Sequence, residues 1–338
     1  MRAFGILCLF LALIMVITPL VSLSSNLSWD GKFSQITDKL HDSDGQADNN
    51  KKSAKTGTFK ILIAGTNDVV ELSELEYICG AVACEMPVTY HVEALKAQAV
   101  ACYTYAVNAR NNQLKSADPA LKGAYLSSDC SIHQGYKTKE QLKNQWGDKY
   151  ETYYSKIESA VKSVLGEVIT YNGELITAAY HAISSGKTES ASVVWGGEVP
   201  YLVSANSAGD RLSPDYSSTL VLNTDQFSQI ASGLEGVSLS PDASTWVSSP
   251  VVSDAGVVKS ITIGGKSFDG NTVRKAFSLR SSCFTVEFKN NTFIFNVIGY
   301  GHCVGLSQYG SDYMSRQGSN YKEILTHYYS GVKVVDLA

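Results

Sequence analysis

Pro87 is the residue that most constrains the fold of this chain, because it ends a predicted helix two residues after the carboxylate of Glu85. The stretch before it begins with a Ser-x-x-Glu capping pattern at Ser73 and carries apolar residues at helical spacing. Proline has no N–H with which to continue the helix, and it keeps the preceding Met86 out of helical angles. We therefore predict that Glu85 lies in or just past the last helical turn.

The predicted position of Glu85 suits a general acid. The negative end of the helix dipole disfavours a carboxylate there, and the apolar neighbours Val82 and Met86 would strengthen that effect. The pKa of the carboxyl should then be raised, so that the group can donate a proton near neutral pH. A solvated glutamate at a helix end is the alternative, and the position alone leaves it open.

A second helix is predicted from about His91 to Ala109. Its apolar face is narrow and rich in alanine, and such small residues let another part of the backbone approach closely. Cys79 in the first helix and Cys102 in the second are expected to pack in the core as small hydrophobic side chains.

The amino terminus predicts a position at the membrane. Residues 3–23 are almost wholly apolar behind Arg2, and about 20 such residues can span a bilayer. We predict a single-pass anchor over residues 1–23, with a cleaved signal peptide as the alternative. Residues 24–57 are polar and predict a flexible linker, which leaves residues 58–338 as the folded part outside the cytoplasm.

The remaining patterns predict an α+β fold. A helical core that carries the Glu85 helix should pack with an antiparallel β-sheet. An Asn-Gly pair at 172–173 predicts a β-hairpin whose two strands extend over residues 165–180. Residues 204–290 alternate in short runs and predict a strand-rich subdomain. Composition is typical of a globular protein, with 44% hydrophobic residues, and the net charge of -4 gives no electrostatic reason to expect nucleic acid.

Cys130 and His133 form half of a candidate metal site. A thiolate and an imidazole three residues apart suit zinc if the chain turns between them. A closed zinc site needs two more ligands, and no spacing in the sequence places them. Zinc is therefore a candidate cofactor that the sequence does not require, and an ordinary surface loop is the alternative.

Four separated segments, in order along the chain, resemble the stage II sporulation protein D family and its amidase-enhancer relatives. The first is Glu85-Met86-Pro87 with the alanine-rich helix after it. The others are the Ser-x-Gly-Lys-Thr-Glu pattern at 184–189, residues 271–281, and the glycine-rich segment at 299–310. The closely spaced glycines of the last segment allow left-handed backbone and close packing against another element. Tyr103 stands where the family often has arginine, and Cys303 stands where glycine is usual.

The resemblance implies roles for individual residues. The glutamate of the family's Glu-Met-Pro motif is its catalytic acid/base, and this role falls on Glu85. Some members also carry cysteine and histidine in a short segment associated with metal, which is similar to the segment with Cys130 and His133. The residues implied as substrate contacts are Tyr103, Tyr171, Ser185, Lys187, Thr188, His302 and Gln308.

The resulting expectation is a membrane-anchored lytic transglycosylase of peptidoglycan. It would cleave the β-1,4 bond between MurNAc and GlcNAc of glycan strands, during engulfment in sporulation or during other cell-wall remodelling. The alternative is a non-catalytic peptidoglycan-binding protein that stimulates a partner amidase. A thiol hydrolase built on Cys303 beside His302 is a weaker third hypothesis, since adjacent residues rarely form such a dyad.

Overall fold

The computed structural model describes residues 57–337. The predicted anchor over residues 1–23 and nearly all of the predicted linker lie outside the described residues. Within residues 57–337, no helix is both long enough and apolar enough to cross a membrane.

The helices of the described chain are mostly short, with one long exception in α2. In chain order they are α1 (Glu74–Glu85), α2 (Val92–Lys115), α3 (Lys139–Trp146), α4 (Tyr150–Val164), α5 (Ala191–Trp195), α6 (Thr224–Ala231), α7 (Gly270–Ala276), α8 (Gln308–Arg316) and α9 (Tyr321–Tyr328).

The strands form several small sheets. They are β1 (Thr58–Leu62), β2 (Val69–Ser73), β3 (Leu126–Ser127), β4 (Glu167–Tyr171), β5 (Glu174–Leu175), β6 (Tyr180–His181), β7 (Ser217–Asn223), β8 (Val251–Val252), β9 (Val258–Ile263), β10 (Lys266–Phe268), β11 (Phe284–Lys289), β12 (Thr292–Ile298), β13 (Leu306–Ser307) and β14 (Lys333–Asp336). Their orders are β2-β1-β3, β14-β4-β5, β13-β6, β10-β9-β8 and β11-β12-β7. Most pairings are antiparallel, while β1–β3 and β6–β13 are parallel.

The mixture of helices and mainly antiparallel strands confirms the predicted α+β class. One hydrophobic core surrounds the alanine-rich α2 and includes the buried residues Tyr77, Leu95 and Tyr328. A second core lies within residues 222–297 and is built on phenylalanines, among them Phe227 and Phe293, whose ring centroids are 3.9 Å apart.

The end of α1 agrees with the prediction from Pro87. The Ser73 side chain accepts a hydrogen bond from the Glu76 N–H at the start of the helix. At the other end Met86 is extended, with φ -127° and ψ 138°, and its N–H still donates to the Val82 carbonyl. Glu85 is therefore the last helical residue, as expected.

Two elements differ in length from the prediction, and tertiary contacts explain both. Helix α2 continues past Ala109 to Lys115, and Arg110 on this extension pairs with Glu74 at 2.9 Å. Strand β5 ends at Leu175, although the sequence predicted a longer second hairpin strand. The carbonyl of Ala179 instead accepts hydrogen bonds from the Leu306 N–H and the Tyr329 hydroxyl.

The glycine-rich segment at 299–310 packs directly on the chain around β6. Gly305 has φ +71°, and a Cβ placed there would lie 2.1 Å from the Ala179 carbonyl oxygen. Gly301 has φ +114°, and its Cβ would lie 2.7 Å from the Cβ of His181. Only glycine permits both the backbone conformation and the close approach.

Gly305→Ala should lower the free energy of unfolding by about 1–3 kcal/mol, because the added methyl group would overlap a backbone oxygen that cannot move freely. Gly318→Ala is the matched control, since Gly318 also has a positive φ (+99°) but no atom within 4 Å of the added Cβ. Urea unfolding measures the free energy of unfolding of both variants. The difference between their losses is the effect of the close contact, because both variants carry the strain of a positive φ. Equal losses in the two variants would contradict the close-packing explanation.

Candidate active site

Glu85 is held at the end of α1 by a contact from a distant loop. The Gly135 N–H donates a hydrogen bond to Glu85 Oε1 at 2.6 Å. A side chain at Gly135 could not be accommodated, because its Cβ would lie 2.7 Å from Cys84 Sγ and 3.1 Å from Glu85 Oε1. The loop backbone thus fixes the carboxyl in one place.

The pKa of Glu85 is raised, as the sequence predicted, and the main cause is burial of the carboxyl. Three groups act in the opposite direction by favouring the ionised form: the Gly135 N–H, the Tyr180 hydroxyl and the Lys137 ammonium. The carboxyl is therefore protonated more readily than an exposed glutamate, while its ionised form still has hydrogen-bond donors. This combination suits a group that gives up a proton and takes one back.

Tyr180 connects Glu85 to a series of buried polar side chains. The Tyr180 hydroxyl donates to Gln134 Oε1 at 3.4 Å. It also lies 3.9 Å from the sulfur of Cys102. Cys102 accepts from Gln98 Nε2 at 3.3 Å, and Gln98 Oε1 accepts from Gln308 Nε2 at 3.3 Å. The predicted residue Gln308 is thus linked to the surroundings of Glu85 through side chains of α2.

His302 lies near the backbone of Tyr180. Its Nδ1 accepts the Val304 N–H at 3.1 Å, and its ring lies beside that of His181, with ring centroids 5.8 Å apart. Burial, together with the nearby Arg274, lowers the pKa of His302 to about 4, so the ring is neutral at pH 7. The half-exposed Trp195 lies beside it, with ring centroids 5.3 Å apart.

Asp210 joins the two loops that the sequence assigned to substrate binding, and sequence reasoning missed it. Its carboxylate accepts the Ser184 N–H at 2.7 Å and the Ser307 hydroxyl at 2.7 Å, and it also accepts the Ser184 hydroxyl. All three residues are fully buried. No motif marks Asp210, because its partners are 26 and 97 positions away in the chain.

Three predicted substrate residues lie on the loop that follows Ser184. The Ser185 hydroxyl donates to the Ala255 carbonyl, and the buried Thr188 hydroxyl accepts the Ala205 N–H at 2.8 Å. These two hydroxyls hold the loop in place. Lys187 is exposed between them.

Tyr103 and Tyr171 make contacts that do not involve Glu85. The hydroxyl of the buried Tyr103 donates to Glu74 Oε2 at 3.0 Å, and Glu74 also binds Arg110. Tyr171 packs against Tyr201, with ring centroids 5.4 Å apart. Their roles as substrate contacts stay predictions.

Cys130 and His133 do not form a complete zinc site in the described part of the chain. Cys130 is exposed, and the Nδ1 of His133 accepts the Ser127 N–H at 3.2 Å. Across residues 57–337 no group of three or more histidine, cysteine, aspartate or glutamate side chains could hold a metal ion. Zinc at this pair stays a prediction, and no chemical step is derived through it.

Comparisons with known proteins identify the family of the chain. The family model described as "Stage II sporulation protein" matches residues 64–171, which include Glu85, Cys130 and His133. Stage II sporulation protein D of Bacillus subtilis (strain 168) is 35% identical over 99% of this chain and 96% of its own length. The protein of the same name from Bacillus amyloliquefaciens is 38% identical over 77% of this chain and 73% of its own length.

A more distant relative carries a different name. The amidase enhancer of Bacillus subtilis (strain 168) is 25% identical over 75% of this chain and 39% of its own length. The chain belongs to the stage II sporulation protein D family, a family of sporulation proteins. The resemblance drawn from the four sequence segments is thereby confirmed.

Asp210→Asn should lower the free energy of unfolding by about 1–3 kcal/mol. An amide has one acceptor oxygen in place of two, so one of the buried donors of Ser184 or Ser307 would face an N–H group. Asp242→Asn is the control, because Asp242 also accepts from a serine N–H and hydroxyl but is exposed. If urea unfolding shows the same stability for the two variants, Asp210 does not hold the loops together.

Proposed function

We propose that the protein is a lytic transglycosylase that cleaves the β-1,4 bond between MurNAc and GlcNAc in peptidoglycan glycan strands. The observation that carries the proposal is the partly buried carboxyl of Glu85, whose pKa burial raises and which accepts a hydrogen bond from the Gly135 N–H. Membership of a sporulation family supports a role in engulfment or in related cell-wall remodelling. Anchoring through residues 1–23, with residues 58–338 outside the cytoplasm, belongs to the same proposal.

The proposed reaction uses Glu85 twice. The protonated carboxyl first gives its proton to the glycosidic oxygen as the bond to the muramic anomeric carbon breaks. The carboxylate then accepts the proton of the muramic 6-hydroxyl while that oxygen bonds to the same carbon. Because the second nucleophile is part of the substrate, one carboxyl group suffices, whereas ordinary glycoside hydrolysis uses two.

The surroundings of Glu85 fit both halves of this cycle. Burial raises the pKa of the carboxyl and so favours the protonated form that the first step needs, and the Gly135 and Tyr180 donors stabilise the carboxylate that remains after it. The neutral His302 of the glycine-rich segment can donate or accept a hydrogen bond without adding a charge to that segment. The exposed Lys187 is available for an anionic lactyl or carboxylate group of the glycan.

A second function rests on the amidase-enhancer relative. In that alternative the protein binds glycan strands without cleaving them and stimulates a partner amidase. The two functions differ in their products, because only cleavage releases soluble muramic fragments.

Glu85→Gln should leave folding and glycan binding largely intact but abolish release of anhydro-ended muramic products, since an amide cannot supply the proton. Glu76→Gln is the matched control on the same helix, where Glu76 is half-exposed and pairs with Lys139 at 3.5 Å. Mass analysis of products from purified glycan provides the measurement.

Turnover that persists in Glu85→Gln would remove Glu85 from the catalytic role. Binding without soluble products from the unaltered protein would favour the amidase-stimulating alternative instead.

Tyr180→Phe should move the pH dependence of cleavage toward higher pH. The reaction needs the protonated carboxyl, so its rate falls as pH rises through the pKa of Glu85. The tyrosine hydroxyl lowers that pKa by stabilising the carboxylate, and its removal therefore raises the pKa further. The measurement is kcat/KM against pH, with Tyr153→Phe, a half-buried tyrosine on α4, as the control. If the pH at which kcat/KM falls is unchanged or lower in Tyr180→Phe, the Tyr180 hydroxyl does not lower the pKa of Glu85.

A further inference from the structure

We propose that Cys283 and Cys303 form a disulfide bond that fastens the loop carrying His302 to the start of β11. Their sulfur atoms lie 3.8 Å apart, and both residues are buried, with 3% and 0% of their surface exposed. A disulfide has an S–S distance of about 2.05 Å, so a modest movement of the two side chains would bring the sulfurs into bonding range.

The backbone already places the two cysteines side by side. Ser281 and Gly301 form a parallel bridge, and the Gly301 N–H donates to the Arg280 carbonyl at 2.9 Å. Each cysteine lies two residues further along its own segment, and there the two sulfur atoms meet. The Cys283 carbonyl is also fixed, because it accepts the Ile298 N–H at 2.8 Å.

The surroundings of the two sulfurs form a small apolar cluster of their own. Val257 is buried with them, and the partly buried Val194 and Ile298 pack against the group. Its buried residues belong to neither of the two larger cores, while Val194 also packs against the first core. A disulfide here would therefore add a covalent link between two segments that a short backbone bridge and a small side-chain cluster already bring together.

The backbone of Cys303 provides an independent reason to assign a role to its sulfur. Cys303 has φ +66°, a left-handed conformation that costs free energy for any residue with a Cβ. Three glycines, Gly299, Gly301 and Gly305, occupy the other positive-φ positions of the same segment. Glycine would relieve the strain at position 303, so the cysteine is explained if its sulfur makes a bond that glycine cannot make.

The reaction is a two-electron oxidation with a disulfide as the co-reactant. One thiolate attacks the co-reactant disulfide and releases one thiol, and the second cysteine thiolate then displaces the other. The products are the Cys283–Cys303 bond and two reduced thiols, which carry the two hydrogens. The proposal rests on the extracytoplasmic location in the proposed function, because such compartments maintain disulfides.

The direct test maps the cross-link in the full-length, detergent-solubilised protein. The protein is denatured and refolded with oxidised glutathione, treated with N-ethylmaleimide in denaturant, and digested without reduction. We expect a cross-linked peptide that contains Cys283 and Cys303 and that disappears after treatment with dithiothreitol. Recovery of both cysteines as alkylated, unlinked peptides would overturn the proposal.

Variants give a second readout that does not depend on catalysis. The oxidised protein should have a higher Tm than the reduced protein, and this difference should vanish in Cys303→Gly, which also suits the positive φ. Cys79→Ala is the control, since Cys79 is a buried cysteine of the first core, and it should keep both the cross-link and the Tm difference. A Tm difference that persists in Cys303→Gly would contradict the assignment.

Failure of this proposal can be distinguished from failure of the proposed function. Glu85→Gln should form the same cross-linked peptide as the unaltered protein, because the carboxyl takes no part in the thiol chemistry. A cross-link in a protein that cleaves no glycan would reject the transglycosylase function alone. Cleavage by a protein that forms no cross-link would reject the disulfide alone.

Discussion

The arrangement of the site loops depends on the hydrogen bonds that the buried carboxylate of Asp210 accepts. An ionised group in a protein interior costs free energy unless hydrogen bonds replace its lost water. Here the donors come from Ser184 and Ser307, which belong to separate sequence motifs, and no salt bridge to Asp210 is formed within residues 57–337. Removal of either loop would leave the carboxylate short of donors, so the two loops are held in place together.

Tyr180 extends this coupling to the proposed acid. Its hydroxyl lowers the pKa of Glu85, and its backbone carbonyl raises the pKa of His302, in each case against the larger effect of burial. A single residue of β6 therefore acts on the pKa of the proposed acid and on the pKa of the histidine in the glycine-rich segment. The proposed disulfide would act on the other side of the same segment, next to His302, and would limit its movement away from β6.

Local features of the structure followed from local sequence signals. Ser73 begins α1, and Asn320 with Glu323 forms a capping box at α9. The Asn172-Gly173 turn has positive φ at both residues, as its hairpin requires. Lengths that depend on distant partners were predicted less well, as the Arg110 extension of α2 and the early end of β5 demonstrate.

The sequence by itself determined that a carboxylate ends a helix at Pro87, that glycines permit close packing near the carboxyl terminus, and that four segments resemble one family. Tertiary structure alone decided that Gly135 binds Glu85, that Asp210 joins two loops, and that Cys283 meets Cys303. The physical reason is separation along the chain. A helix cap or a turn is encoded within a few residues, whereas contacts across 50 or 97 positions leave no periodic pattern and arise only when the chain has folded.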